Sequence, residues 1–209
     1  MVSTSYLLIV MNLENSINLF NEDQYALKLV GFIVGALILG VICFIDDCKE
    51  IPSWGKLIAQ IIAAGIVVAC GLRIENINLP FTESQIWLTD WFSYILTIGW
   101  IIGITNAINL IDGLDGLSSG ITLISCISLL IIFTLNNSPL IAVLLITALG
   151  GAIVGFLPFN FNPARTFIGD VGSNFLGFSL AIISILRSSE NLYSNCINST
   201  DYYFSISNI

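Results

Sequence analysis

The chain has 209 residues, of which 56% are hydrophobic and 10% charged, with a mean hydropathy of +0.93 and a formal net charge of -8. That balance is too apolar for an ordinary soluble domain and too acidic for a nucleic-acid binder, which needs a basic surface. With no histidine and no CxxC pair among its five cysteines, the sequence also offers little to a zinc site.

Residues 1–24 are mixed in character. Their apolar run, 6–13, is too short to cross a bilayer and lacks the basic start of a signal peptide, so a polar or interfacial leader is expected. The first expected span, 25–45, carries Gly31, Gly35 and Gly40 at spacings that suit close helix packing. It runs directly into Asp46 and Asp47, and Pro52 then separates it from a second span at 57–72. Residues 73–91 combine turn residues with short alternating stretches and the aromatic anchors Phe81, Trp87 and Trp91, the pattern of an interfacial loop or small hairpin.

A third span, 92–111, has Gly99 and Gly103 as another packing pair. The fourth, 117–135, and the fifth, 140–157, are joined by a tight turn. A shorter sixth span is expected at 172–186, with Ser173 as the cap of its N-terminus, and 187–209 form a polar tail rich in Ser and Asn. The expected fold is therefore all-α: a polytopic integral membrane protein of about six transmembrane helices over 25–186, with a small extramembrane loop or hairpin.

The polar residues interrupt this pattern at few places. In NAINLIDGLDG, 106–116, the residues Asn106, Asn109 and Asp112 are spaced by three, so neighbours share a helical face, and Gly113 and Gly116 free the backbone to turn Asp115 toward the same place. The loop PFNFNPARTFIGDVGSNFLGF, 158–178, brings Asn160, Asn162, Arg165, Asp170 and Ser173, and the start of the following helix suits a phosphate. If spans alternate in direction, the ends of the first, third and fifth lie on one side, and Asp46, Asp47, Asp112, Asp115 and Asp170 all meet there. Lys49, Lys56 and Arg165 lie with them, and Lys28, Arg73 and Arg187 opposite, so the basic residues do not decide the orientation.

Five gathered carboxylates repel one another unless protonated or joined by a cation. Hard oxygen ligands favour Mg²⁺, which takes one or two carboxylates and fills its remaining positions with water and substrate phosphate. The segment lacks the ligand spacing of an EF-hand, and the chain has no P-loop.

FIDDCKEIPSWGKLIAQ, NAINLIDGLDGLSSG and FNFNPARTFIGDVGSNFLGF, in that order, resemble three motifs of the polyprenyl-phosphate N-acetylhexosamine-1-phosphate transferases, over residues 30–185. The NAINLIDGLDGL form is more similar to the teichoic-acid and O-antigen branch than to the peptidoglycan translocase. The resemblance implies transfer of N-acetylhexosamine-1-phosphate from a UDP-sugar, UDP-N-acetylglucosamine first among them, to polyprenyl phosphate with release of UMP. It implies Asp46 and Asp47 as catalytic groups that orient or deprotonate the lipid phosphate, and Asp170 with Asn109 as Mg²⁺ ligands. Asp112, Asp115 and Asn160 would line the nucleotide-sugar site.

The implied partners are the UDP-sugar, the polyprenyl phosphate, the membrane and a second copy in a homodimer, with no nucleic acid. The implied location is the cell membrane with a cytoplasmic active face. Further N-terminal spans, a Gly-rich segment before the paired aspartates and a histidine-containing C-terminal motif have no counterpart here. A truncated core is therefore expected, and a catalytically inactive remnant or membrane scaffold is the alternative. A transporter using the acids as a cation path is disfavoured by their position at helix ends.

Overall fold

A computed structural model describes residues 23–49, 51–78, 85–136 and 138–186. The expected leader, most of which is residues 1–22, and the expected tail at 187–209 lie outside the described residues. Six helices and one hairpin follow in order: α1 Asp23–Cys48, α2 Ser53–Ala69, β1 Asn76–Asn78, β2 Gln85–Trp87, α3 Asp90–Ile111, α4 Leu117–Leu135, α5 Leu140–Asn160 and α6 Gly169–Leu186. All but α2 are long and apolar enough to cross a membrane, and α2 is a shorter apolar helix. This is an all-α polytopic membrane protein. The hairpin pairs antiparallel, with Ile77 opposite Ile86, and joins α2 to α3 at the end of the molecule away from the acids.

The organising element is α6. Of its membrane-length stretch 67% is buried, against 22–28% for the other long helices, which makes it the centre of the bundle and the others its wall. It packs on α3 and α1 and touches α4 and α5. Close approach needs missing side chains: a Cβ on Gly177 would stand 2.7 Å from the Thr105 Cα of α3. On the other flank, a Cβ on Gly35 would meet Phe178 at 2.7 Å, and Phe178 is itself fully buried and stacked on Phe32. Gly31 lies as tightly on Cys70 of the α2 terminus. The GxxxG pair of α1 therefore packs as its spacing implies.

Several boundaries differ from those expected. Helix α1 continues through Asp46 and Asp47, which stand in its last turn and not on the turn beyond it. The second span starts earlier and ends at Ala69, where Gly71 at φ +89 turns the chain and leaves Leu72 buried outside the helix. Helix α5 extends past Pro158 to Asn160, because a proline in the last turn forfeits only one bond and Phe161 N–H still reaches the Leu157 carbonyl at 2.8 Å.

Helix α6 begins at Gly169, not Gly172, and Ser173 is consequently inside it. The break falls at Gly169 because that glycine takes φ +67, and Ser173 bonds back to the Gly169 carbonyl at 3.0 Å instead of capping. Gly99 and Gly103 are a further correction. A Cβ on either would meet nothing within 4 Å, so this pair has no packing partner among the described residues.

Candidate functional site

The acids gather at one end of the bundle, as the alternation of helices requires. Asp46 accepts a hydrogen bond from Ile51 N–H at 2.7 Å, which folds the α1–α2 turn around its carboxylate. Lys56, in the first turn of α2, reaches across that turn and forms ion pairs with both Asp46 and Asp170. Asp46, Asp47 and Asp170 each offer one carboxylate oxygen, and these lie within 4.8 Å of one another. Such a spacing suits a shared cation, and the Lys56 ammonium already neutralises part of the charge there. Gly169 lies beside Asp47, where a Cβ would make only ordinary contact at 3.8 Å from a carboxylate oxygen, so its φ of +67 and not lack of space calls for glycine.

Asn109 projects from α3 into the same place, donating to Asp170 Oδ1 at 3.1 Å and to Ser173 Oγ at 2.8 Å. It is therefore beside Asp170, with its amide nitrogen and not its oxygen turned to that carboxylate. Asp112 follows at the end of α3 and accepts a hydrogen bond from Ser118. Its carboxyl is held above the usual carboxylate range, first by burial and further by the negative charge of Asp170, with the Ser118 hydrogen bond opposing.

The second half of the site is the wall behind it. Gly116, at φ +72, turns the chain into α4, and Asp115 beside it accepts from Ala164 N–H at 3.1 Å, tying the 112–116 loop to the 161–168 loop. Asn160 is buried; its Oδ1 accepts from Ser119 Oγ at 2.8 Å and its amide donates to the Thr166 carbonyl at 3.0 Å. Asn160 thus braces α4 and the long loop from within. Phe167 is exposed at the edge of that loop, and Arg165 and Asn162 are exposed too.

Sequence reasoning placed the acids but missed the groups that hold them. Lys56 counted only as a charge on the acidic side, yet a lone lysine in the first turn of an apolar helix, ten residues after a paired aspartate, was the available signal. Gln60, one turn further along α2, is 4% exposed and bonds Asn106 and Asn174. A buried glutamine in an apolar helix was again visible in the sequence.

This arrangement of three acid-bearing segments matches a known family. Residues 29–188 match the family described as Glycosyl transferase family 4. The chain belongs to that family. A protein of Bacillus subtilis (strain 168) described as a probable undecaprenyl-phosphate N-acetylglucosaminyl 1-phosphate transferase is 38% identical over 159 residues, 76% of this chain and 44% of its own length. Phospho-N-acetylmuramoyl-pentapeptide-transferases are similarly related. That of Listeria monocytogenes serovar 1/2a (strain ATCC BAA-679 / EGD-e) is 43% identical over 168 residues, 75% of this chain and 51% of the relative. That of Limosilactobacillus reuteri (strain DSM 20016) is 40% identical over 166 residues, 74% and 50%. The chain spans about half the length of the curated relatives it matches.

Proposed function

We propose that this chain carries the core of a transferase that moves N-acetylhexosamine-1-phosphate from a UDP-sugar to a polyprenyl phosphate at the membrane, releasing UMP, in the first step of a surface polysaccharide. The observation that carries the reading is the meeting of Asp46, Asp47 and Asp170 around Lys56 at one end of the bundle. The B. subtilis relative's description supports an undecaprenyl-phosphate acceptor and an N-acetylglucosaminyl donor.

The residues present fit Mg²⁺: hard carboxylate oxygens at bridging distance, already compensated by an ammonium group. Asp170 and Asn109 would hold the ion, and when bound it would supply charge neutralisation on the diphosphate. The chain's own groups do the rest. Asp46 and Asp47, in the last turn of α1, orient the lipid phosphate and take up its proton if it arrives protonated. A lipid phosphate oxygen then bonds to the phosphorus that bears the sugar, the bridging P–O bond to UMP breaks, and UMP leaves with that electron pair. Lys56 is placed to donate to the phosphate oxygens as charge develops, and Asp112, Asp115 and Asn160 shape the wall against which the nucleotide lies. Positioning and electrostatics supply most of such a phosphoryl transfer. Because UDP-sugars are made inside the cell, the acid end faces the cytoplasm.

The test is release of UMP from UDP-N-acetylglucosamine by the purified, detergent-solubilised chain with undecaprenyl phosphate and Mg²⁺. Turnover that disappears in Asp170→Asn supports the transferase. A folded protein that binds Mg²⁺ but gives no UMP favours the alternative reading, an inactive core or membrane scaffold.

A further inference from the structure

One helical turn deeper than the acids lies a second polar tier. Gln60 of α2 donates to Asn106 Oδ1 of α3 at 3.2 Å and to Asn174 Oδ1 of α6 at 3.0 Å, and its own Oε1 accepts from Asn106 Nδ2 at 2.8 Å. Asn174 in turn donates to the backbone carbonyl of Asp170 at 2.8 Å. The positions are matched helix by helix. Gln60 follows Lys56 by one turn, Asn106 precedes Asn109 by one turn, and Asn174 follows Asp170 by one turn. Gln60 and Asn174 are 4% and 2% exposed, so their amides have water to replace and find it in each other.

We infer that the Gln60–Asn106–Asn174 amide tier is a positioning device for the phosphoryl-transfer site, setting the separation of the three helices that deliver Lys56, Asn109 and Asp170. The inference rests on the proposed function for what the site binds. Gln60 and Asn174 are buried while Asn106 closes the tier from an exposed position, and hydrogen bonds among the three have tight distance limits, whereas apolar side chains would let the helices slide by fractions of an ångström. The tier contributes alignment more than stability, because polar contacts between membrane helices average only about 0.6 kcal/mol. Gln60 touches neither substrate nor ion and is a positioning residue.

The decisive variant replaces the whole tier with apolar groups, Gln60→Leu/Asn106→Leu/Asn174→Leu, since removing every partner together leaves no buried amide unsatisfied. Gln60→Leu alone is the second variant, in case the triple does not fold. Two readouts are taken on the full detergent-solubilised chain: Mn²⁺ binding followed by electron paramagnetic resonance, and thermal unfolding in chelator with and without Lys56→Met.

The expected result is a melting temperature close to wild type with Mn²⁺ affinity weakened by about tenfold, the usual size of an outer-sphere loss. In chelator, the loss of melting temperature caused by Lys56→Met should shrink by at least half in the altered background, because Lys56 is no longer held against Asp46 and Asp170. Unchanged Mn²⁺ affinity together with an undiminished Lys56→Met effect overturns the inference. If the wild-type chain binds no Mn²⁺, that counts against the metal in the proposed function, and the Lys56→Met comparison alone decides for or against the tier.

Discussion

The contact between Gly177 and Thr105 predicts that one methyl group can separate the fold from its site. A Cβ on Gly177 would stand 2.7 Å from the Thr105 Cα and 3.1 Å from the Ile104 and Thr105 carbonyl oxygens, all backbone atoms that cannot swing aside. Ordinary carbon contacts begin near 3.5 Å, so Gly177→Ala must push α3 and α6 apart by about 0.8 Å at that level. Overpacking of this kind costs roughly 1–3 kcal/mol, or a fall of about 2–12 °C in melting temperature for a chain of this size. The same displacement reaches the site, one turn on along α3 and about two turns back along α6, where Asn109 and Asp170 meet at 3.1 Å and have only a few tenths of an ångström before the bond is lost.

The assay is thermal unfolding in detergent, paired with Mn²⁺ titration, of Gly177→Ala beside Gly155→Ala. A Cβ at Gly155 meets nothing, so that change should hold or raise stability by up to about 1 kcal/mol through helix propensity. If Gly177→Ala melts with Gly155→Ala and binds Mn²⁺ as wild type does, α3 and α6 are not packed backbone to backbone and the reasoning fails.

Two further predictions concern the charges. Lys56→Met removes the ammonium from among Asp46, Asp47 and Asp170 and should lower the melting temperature by several degrees in chelator, with millimolar Mg²⁺ restoring most of it; a loss that Mg²⁺ does not repair would mean the three acids do not share a cation site. For Asp112, burial and the charge of Asp170 raise the carboxyl, so the native state favours its neutral form and its contribution to stability is lost as pH rises through the native pKa. Asp112→Asn in chelator should therefore match wild type at acid pH and gain on it as pH rises toward neutrality, and a difference in melting temperature that is flat with pH or falls with it would contradict that sign.

How much of this was legible in the sequence depends on what kind of contact made it. The gathering of Asp46, Asp112 and Asp170 followed from parity alone, because a chain that must satisfy its backbone within helices crosses and recrosses, and alternate ends share a side. The hairpin at 76–87 showed in its alternating residues and flanking turns. The rank of α6 did not show. Its Ser, Asn and Gly residues lower its hydropathy, so it read as the weakest span, whereas a helix surrounded by protein has no need of a lipid-compatible surface and can carry polar atoms that its neighbours satisfy. GxxxG spacing likewise says that a face can pack but not that a partner stands opposite it; Gly31 and Gly35 have one, and Gly99 and Gly103 do not among the described residues.

The charges at the site also stand at the wrong ends of their helices. Asp46 and Asp47 occupy the last turn of α1, where the helix dipole is negative, and Lys56 occupies the first turn of α2, where it is positive. Swapping acids and lysine would suit both helices better, so local stability does not account for the arrangement. Only Asp170, in the first turn of α6, agrees with its helix. The mismatch has a physical consequence: α1 and α2 each raise the cost of their own charges, and the ion pairs of Lys56 with Asp46 and Asp170 offset it across the turn. A site so built is poised to exchange partners. In the proposed transferase the carboxylates would hold a divalent cation in place of Lys56, whose ammonium, at the positive end of a helix, would then be free to meet an anion such as a diphosphate. Local rules broken without gain to the fold mark places kept for chemistry, and here they fall together on the residues that the proposed transfer requires.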